Sequence, residues 1–289
     1  MKIILRSIIC FSVFFAAALF AISARAGVDE RIVFSKDEVP IAYSVYGDGG
    51  PVLVFVHGWS CNRSVWREQI PYFEKKYQVV TLDLAGHGAS GRQRSVYTQQ
   101  AFGDDIAAVV RVINGNKVIL IGHSMSGTAI IEAYQNLKHS VIGLIGIDTL
   151  EDIEYVLTPE KIDEFLGPFK ADFAKATDEF VSQMFVKDTD PKLIDEVAAM
   201  MSHADPAVGV SALECYFKSS VIPLAPGIDV PLWCLSSDLW PSKPEVNRKY
   251  VKSFNLRIIP GCGHFLMLER ADEFNKQLDD IIKQIITGK

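Results

Sequence analysis

Ser124 lies in the hexapeptide GHSMSG, residues 122–127, between an apolar run, KVILI (117–121), and a helical pattern, TAIIEAYQNL (128–137). A serine hydroxyl is a weak nucleophile until a neighbouring base takes its proton. A base is present far along the chain, as His264 in GCGHF (261–265), and Asp238 follows another apolar run between the two. The order Ser…Asp…His suits acyl transfer by a serine that a histidine activates and an acid orients. A plainer reading exists for the serine alone. Strand-to-helix turns favour glycine and serine, because glycine accepts positive φ and serine caps helices. The rest of the chain has to decide.

The elements that would position these residues alternate regularly. RIVFS (31–35) and IAYSVYG (41–47) resemble an antiparallel pair. Short apolar runs follow at PVLVFVHG (51–58), YQVVTLD (77–83), KVILIG (117–122), VIGLIGID (141–148), VPLWCLSS (230–237) and NLRIIPG (255–261). Helical spacing separates them over 64–77, 98–113, 128–137 and 244–254, and a last amphipathic helix runs over about 269–286. Continuous apolar strands between helices predict a parallel sheet covered on both faces. Between residues 150 and 220 only helical patterns occur, each broken by Pro or Asp-Pro. The predicted fold is α/β: a mostly parallel, eight-stranded, doubly wound sheet, with a helical cap inserted after strand six. Residues 27–149 and 221–289 would form the core and 150–220 the cap, whose Phe and Met residues mostly build its own interior, with a few left to line a pocket.

In such sheets chemistry collects at the carboxyl ends of the strands. The polar residues just past those ends are His57 in HGW (57–59), Asp83, Ser124, Asp148 to Asp152, Asp238 and His264. Each alone has a structural explanation, as a turn former or a cap. A serine, an acid and a histidine at one edge of one sheet are harder to explain that way.

The ends and the composition narrow the function further. Lys2 and Arg6, the apolar stretch IICFSVFFAAALFAI (8–22) and the Ala24-Arg25-Ala26 site predict a cleaved secretory signal peptide over residues 1–26. An uncleaved anchor is the alternative, and bulky Ile9 before Cys10 argues against a lipoprotein. The remaining residues carry 26 basic against 35 acidic side chains, a net of −9, with no basic run longer than two. That excludes a basic nucleic-acid footprint and leaves an exported, soluble protein, periplasmic or secreted, as the expectation. Cys61, Cys215, Cys234 and Cys262 would allow three disulfide connectivities, and their spacing does not suit a metal site.

With HGW (57–59), DLAGHGASG (83–91), GHSMSG (122–127) and GCGHF (261–265) in place, the chain resembles the α/β-hydrolase superfamily, in the branch with a helical cap after strand six. The resemblance implies Ser124 as nucleophile, His264 as general base, and Asp238 as the acid, since strand seven is its usual place. Asp148, Glu151 and Asp152 follow strand six, where some relatives carry the acid. The backbone N–H groups of Trp59 and Met125 would form the oxyanion hole. His57 would support its loop and His87 its turn, while His123 either packs under the elbow or faces the pocket. Trp59, His123, Trp240 and Phe265 are the candidate pocket wall. The family pattern places glycine two residues after the nucleophile, whereas this chain has Ser126, small enough to fit.

The implied activity is hydrolysis of an ester or related acyl or C–C bond of a small, apolar substrate, without cofactor or metal. A serine nucleophile argues against the dehalogenase and epoxide-hydrolase relatives, which use a carboxylate. A cofactor-free lyase or perhydrolase on the same residues, and a small-molecule receptor with slow turnover, are the alternative readings.

Overall fold

The computed structural model describes residues 29–288, so the segment read as a signal peptide lies outside the described residues. Strands β1 (Asp29–Phe34) and β2 (Pro40–Tyr46) form an antiparallel pair. β3 (Val52–Val56) follows, then a 3-10 turn (Arg63–Trp66) and the short helix α1 (Ile70–Phe73). These two pieces replace the single helix that the spacing predicts over 64–77. Pro71 has no N–H to donate, so it fits only in a first helical turn, and the helix starts afresh at Ile70. β4 (Gln78–Leu82), α2 (Gln99–Val112), β5 (Val118–His123), α3 (Ser126–Leu137) and β6 (Val141–Ile147) then alternate.

Four helices stand between β6 and β7: α4 (Pro159–Ala171), α5 (Phe173–Ser182), α6 (Pro191–Ser202) and α7 (Pro206–Lys218). The Asp-Pro pairs that break the pattern are helix starts. Asp190 and Asp205 accept backbone N–H groups from their own first turns, and Pro191 and Pro206 occupy positions where a missing donor costs nothing. β7 (Leu232–Ser237), α8 (Pro244–Tyr250), β8 (Phe254–Ile259), α9 (Leu266–Glu269) and α10 (Ala271–Thr287) complete the chain.

All eight strands join one sheet in the order β1-β2-β4-β3-β5-β6-β7-β8, parallel from β4 onward. The chain leaves β3 toward β4 on one side and returns to β5 on the other. Loops after β3 and β5 therefore diverge and leave a crevice at their carboxyl ends, the usual place for a ligand. Every residue of β3 and β5 is buried. Each large apolar side chain so buried contributes about 1.5–3 kcal/mol, so the loops bordering the crevice hang from the most firmly held strands. Cys61, Cys215, Cys234 and Cys262 are all free thiols. Among the described residues, no helix is long and apolar enough to cross a membrane, and no cluster could hold a metal ion.

Candidate active site

Ser124 occupies the turn between β5 and α3 with φ +54°, a conformation few non-glycine residues adopt. Two hydrogen bonds hold it there. Its N–H donates to the carbonyl of Ile147 on β6, and its carbonyl accepts from Gly127 N–H, both at 2.9 Å. The small neighbours are required by close approach. A Cβ on Gly122 would lie 2.5 Å from the Ser126 carbonyl oxygen, and one on Gly58 would lie 3.1 Å from Ser124 Cβ. The HGW loop thus runs directly against the elbow. Ser126 is fully buried, and its hydroxyl donates to the carbonyl of His57 at 2.5 Å. This serine ties the elbow to that loop.

His264 enters on the loop between β8 and α9 and is 5% exposed. Its Nδ1 lies 2.6 Å from Asp148 Oδ2. A carboxylate only accepts, so Nδ1 carries a proton, and in the neutral ring that leaves the lone pair on Nε2. The other oxygen, Asp148 Oδ1, accepts the N–H of Ser237 at 2.7 Å. The acid beside His264 is therefore Asp148, at the end of β6, and not Asp238 as strand position predicts. Asp238 is exposed, and its Oδ1 accepts the N–H of Gly261 at 2.8 Å. The reason is local. Asp148 has φ +45°, which turns the chain at the strand end, and the last residue of β7 fastens the carboxylate there.

Ser124, His264 and Asp148 share the wall of a chamber of about 160 Å³. Trp59, Met125, His123, Trp240 and Phe265 line it as well, so every candidate pocket residue borders the same space. Helical-cap residues Phe180, Met184 and Met201 close it. The cap also bonds to both working loops: Met184 carbonyl accepts His264 N–H at 2.7 Å, and Gly209 carbonyl accepts Trp59 Nε1–H at 2.7 Å. Phe185 stacks on Phe265 with ring centroids 5.4 Å apart. Part of the insertion's aromatic content is thus site wall, a function that its spacing does not announce.

Three further histidines are buried around the site. His57 donates from Nδ1 to Gly58 carbonyl at 2.8 Å and accepts Leu84 N–H at Nε2, and burial pulls it down to about 4. His87 bonds the Ala85 carbonyl at 3.0 Å within its own turn, and burial lowers it to about 3. His123 does both things the sequence leaves open. It lines the chamber, and its Nε2–H donates to the His264 carbonyl at 3.0 Å. Burial, followed by the charge of His264, holds it well below the ordinary histidine value. Glu151 also reaches the chamber; burial, with the like charge of Asp148 behind it, pushes its carboxyl up to about 7.

The fold has known counterparts. The chain is similar to the Karrikin insensitive 2 receptor CA of Petunia hybrida, 22% identical over 217 residues, covering 72% of this chain and 80% of that one. It is also similar to a probable esterase of Oryza sativa subsp. japonica, 23% identical over 246 residues, covering 79% and 90%. In fold it matches a thermophilic esterase from Thermogutta terrifontis (malate bound), with TM-score 0.78 at 20% identity over 89% of this chain and 98% of the other. Residues 53–277 match the alpha/beta hydrolase family, and the chain belongs to that family.

Proposed function

We propose that the protein is a serine hydrolase that cleaves a small ester through an acyl-serine intermediate. The observation that carries this reading is a histidine, held by a buried carboxylate at 2.6 Å, in one chamber with a serine on a φ +54° elbow. His264 Nε2 takes the Ser124 hydroxyl proton as Oγ attacks the ester carbonyl carbon. Asp148 stabilises the imidazolium that results. The oxyanion of the tetrahedral intermediate faces the backbone N–H groups of Trp59 and Met125, each such donor worth about 3 kcal/mol in the transition state. His264 then delivers the proton to the departing alcohol oxygen. Water, activated by the same imidazole, cleaves the acyl-serine to the free acid.

Hydrolysis of p-nitrophenyl esters of increasing acyl length, by the protein and its Ser124→Ala variant, tests this. Turnover should fall on the order of 10,000-fold or more in the variant. A folded Ser124→Ala protein that retained its activity would overturn the assignment. The likeness to a plant receptor supports a second reading, a binding protein on the same residues. Tight ligand retention with negligible turnover across the panel would favour it.

A further inference from the structure

Beyond the catalytic chamber lies a second, larger cavity of about 540 Å³. The two cavities share four wall residues, Glu151, Tyr216, Phe217 and Trp240. These four stand at the boundary between the two spaces, the place of a doorway. Outside it the wall is mixed: Leu150, Ile153, Leu157 and Val221 are apolar, while Ser219, Ser220 and the Asp152–Lys243 ion pair are polar. Inside it the chamber is about 160 Å³, under a third of the outer cavity.

The doorway adjoins the base that protonates the leaving alcohol. His264 must hand its proton to the departing alcohol, and the Trp240 ring centroid is 5.0 Å from that of His264. The oxyanion donors Trp59 and Met125 line the inner chamber alone and are absent from the outer wall. An ester bound with its carbonyl at those donors keeps its acyl group inside and sends its alcohol outward past Trp240.

The doorway is three aromatic rings and one carboxyl. Tyr216 and Phe217 have ring centroids 5.5 Å apart. Among the described residues no lysine or arginine pairs with the Glu151 carboxyl. The nearby Lys243 is bound to Asp152 at 2.9 Å. The titratable groups facing Glu151 are Asp148 and His264 from the reaction side, Tyr216 from α7 and Cys234 from β7, none of them a fixed cation. Aromatic faces attract cations through their quadrupole, and a carboxylate without a counter-ion adds to that attraction.

We infer that the doorway of Glu151, Tyr216, Phe217 and Trp240 selects esters of a small acid whose alcohol carries a positively charged nitrogen, an inference resting on the serine-hydrolase reading above. Glu151 is then a specificity-determining residue. Because its carboxyl ionises near 7, the selection strengthens as pH rises through that value. A cation seated beside it would favour the ionised form.

The test compares kcat/KM for the acetate ester of 2-(trimethylammonio)ethanol with that for its uncharged isostere, 3,3-dimethylbutyl acetate. The ratio cancels the ionisation of His264, which both substrates share. At pH 8 the protein should prefer the cationic ester about tenfold or more, the preference should shrink at pH 6, and Glu151→Gln should abolish it. Equal rates in the unaltered protein, or a preference that survives the substitution, would overturn the inference. If the variant does not fold, a ratio unchanged between pH 6 and pH 8 in the unaltered protein overturns it equally. Absence of Ser124-dependent turnover with either ester would count against the hydrolase reading instead. Calorimetric binding of the two alcohols then decides the doorway by itself: the cation should bind about tenfold more tightly, and equal affinity would sink the idea.

Discussion

Strands β6 and β7 run side by side and parallel, and each is followed by an aspartate, yet the two carboxylates have different surroundings. Asp148 is 3% exposed and bonds the imidazole of His264, while Asp238 stands in solvent and bonds the backbone of Gly261. The two strand ends cooperate. Ser237, the last residue of β7, donates its N–H to Asp148, so the end of one strand fixes the acid of the other. Asp238 in turn steadies the loop three residues before His264. The difference teaches that adjacency to a strand end is cheap to encode, whereas the direction of the first turn past it decides which carboxylate meets the histidine.

The sharpest break of this comparison is a pair of isosteric changes. Asp148→Asn should lower kcat by about 10,000-fold, because an amide no longer fixes the Nδ1–H tautomer or offsets the imidazolium charge. Asp238→Asn should cost less than about tenfold, since the amide oxygen still accepts from Gly261. Steady-state kinetics on the ester panel reads both. A larger loss for Asp238→Asn would return the acid to β7.

A smaller effect distinguishes the same strand ends by stability. Glu151, three residues past Asp148, is partly buried and has its carboxyl raised to about 7 from an ordinary 4.5. The folded state therefore holds this proton more tightly than the unfolded chain does. The stability this carboxyl contributes is greatest below 4.5 and declines as pH rises toward 7, where ionisation must occur in a shielded site. Glu151→Gln should remove that decline, gaining at most about 3 kcal/mol above pH 7 and little at pH 4, since a tenfold change in proton affinity is worth about 1.4 kcal/mol. Urea unfolding at the two pH values checks it; a gain equal at both would show that the carboxyl is not destabilised by ionising.

Much of this arrangement is legible in the sequence, for physical reasons. Buried parallel strands must be continuously apolar, so β3 to β8 could be placed, and the charged turn between β1 and β2 marked those two as an antiparallel pair. The elbow needs small neighbours, so GHSMSG marks itself. His264 follows the last strand, where the histidine of the resembling family also falls. Asp148 and Asp238 both satisfy the same strand-end rule, and their difference lies in backbone torsion and in a single N–H from a neighbouring strand, neither of which composition or spacing encodes. Phe180, Met184 and Met201 have the spacing of interior helix residues, and only the docking of the cap makes them chamber wall.

The smallest effect concerns Ser126, where the family pattern carries glycine. Its hydroxyl satisfies the His57 carbonyl, in the loop whose next residues are Gly58 and Trp59. Ser126→Gly removes the donor without adding bulk. A buried hydrogen bond of this kind contributes about 0.5–1.5 kcal/mol, so Tm should fall by a few degrees. If the bond also aims the Trp59 N–H at the oxyanion, kcat should drop several-fold while KM changes little, because only the transition state carries the full charge. A loss of stability with kcat unchanged would mean that His57, through its own bonds to Gly58 and Leu84, is enough to aim the loop, and that Ser126 merely fills the space under it.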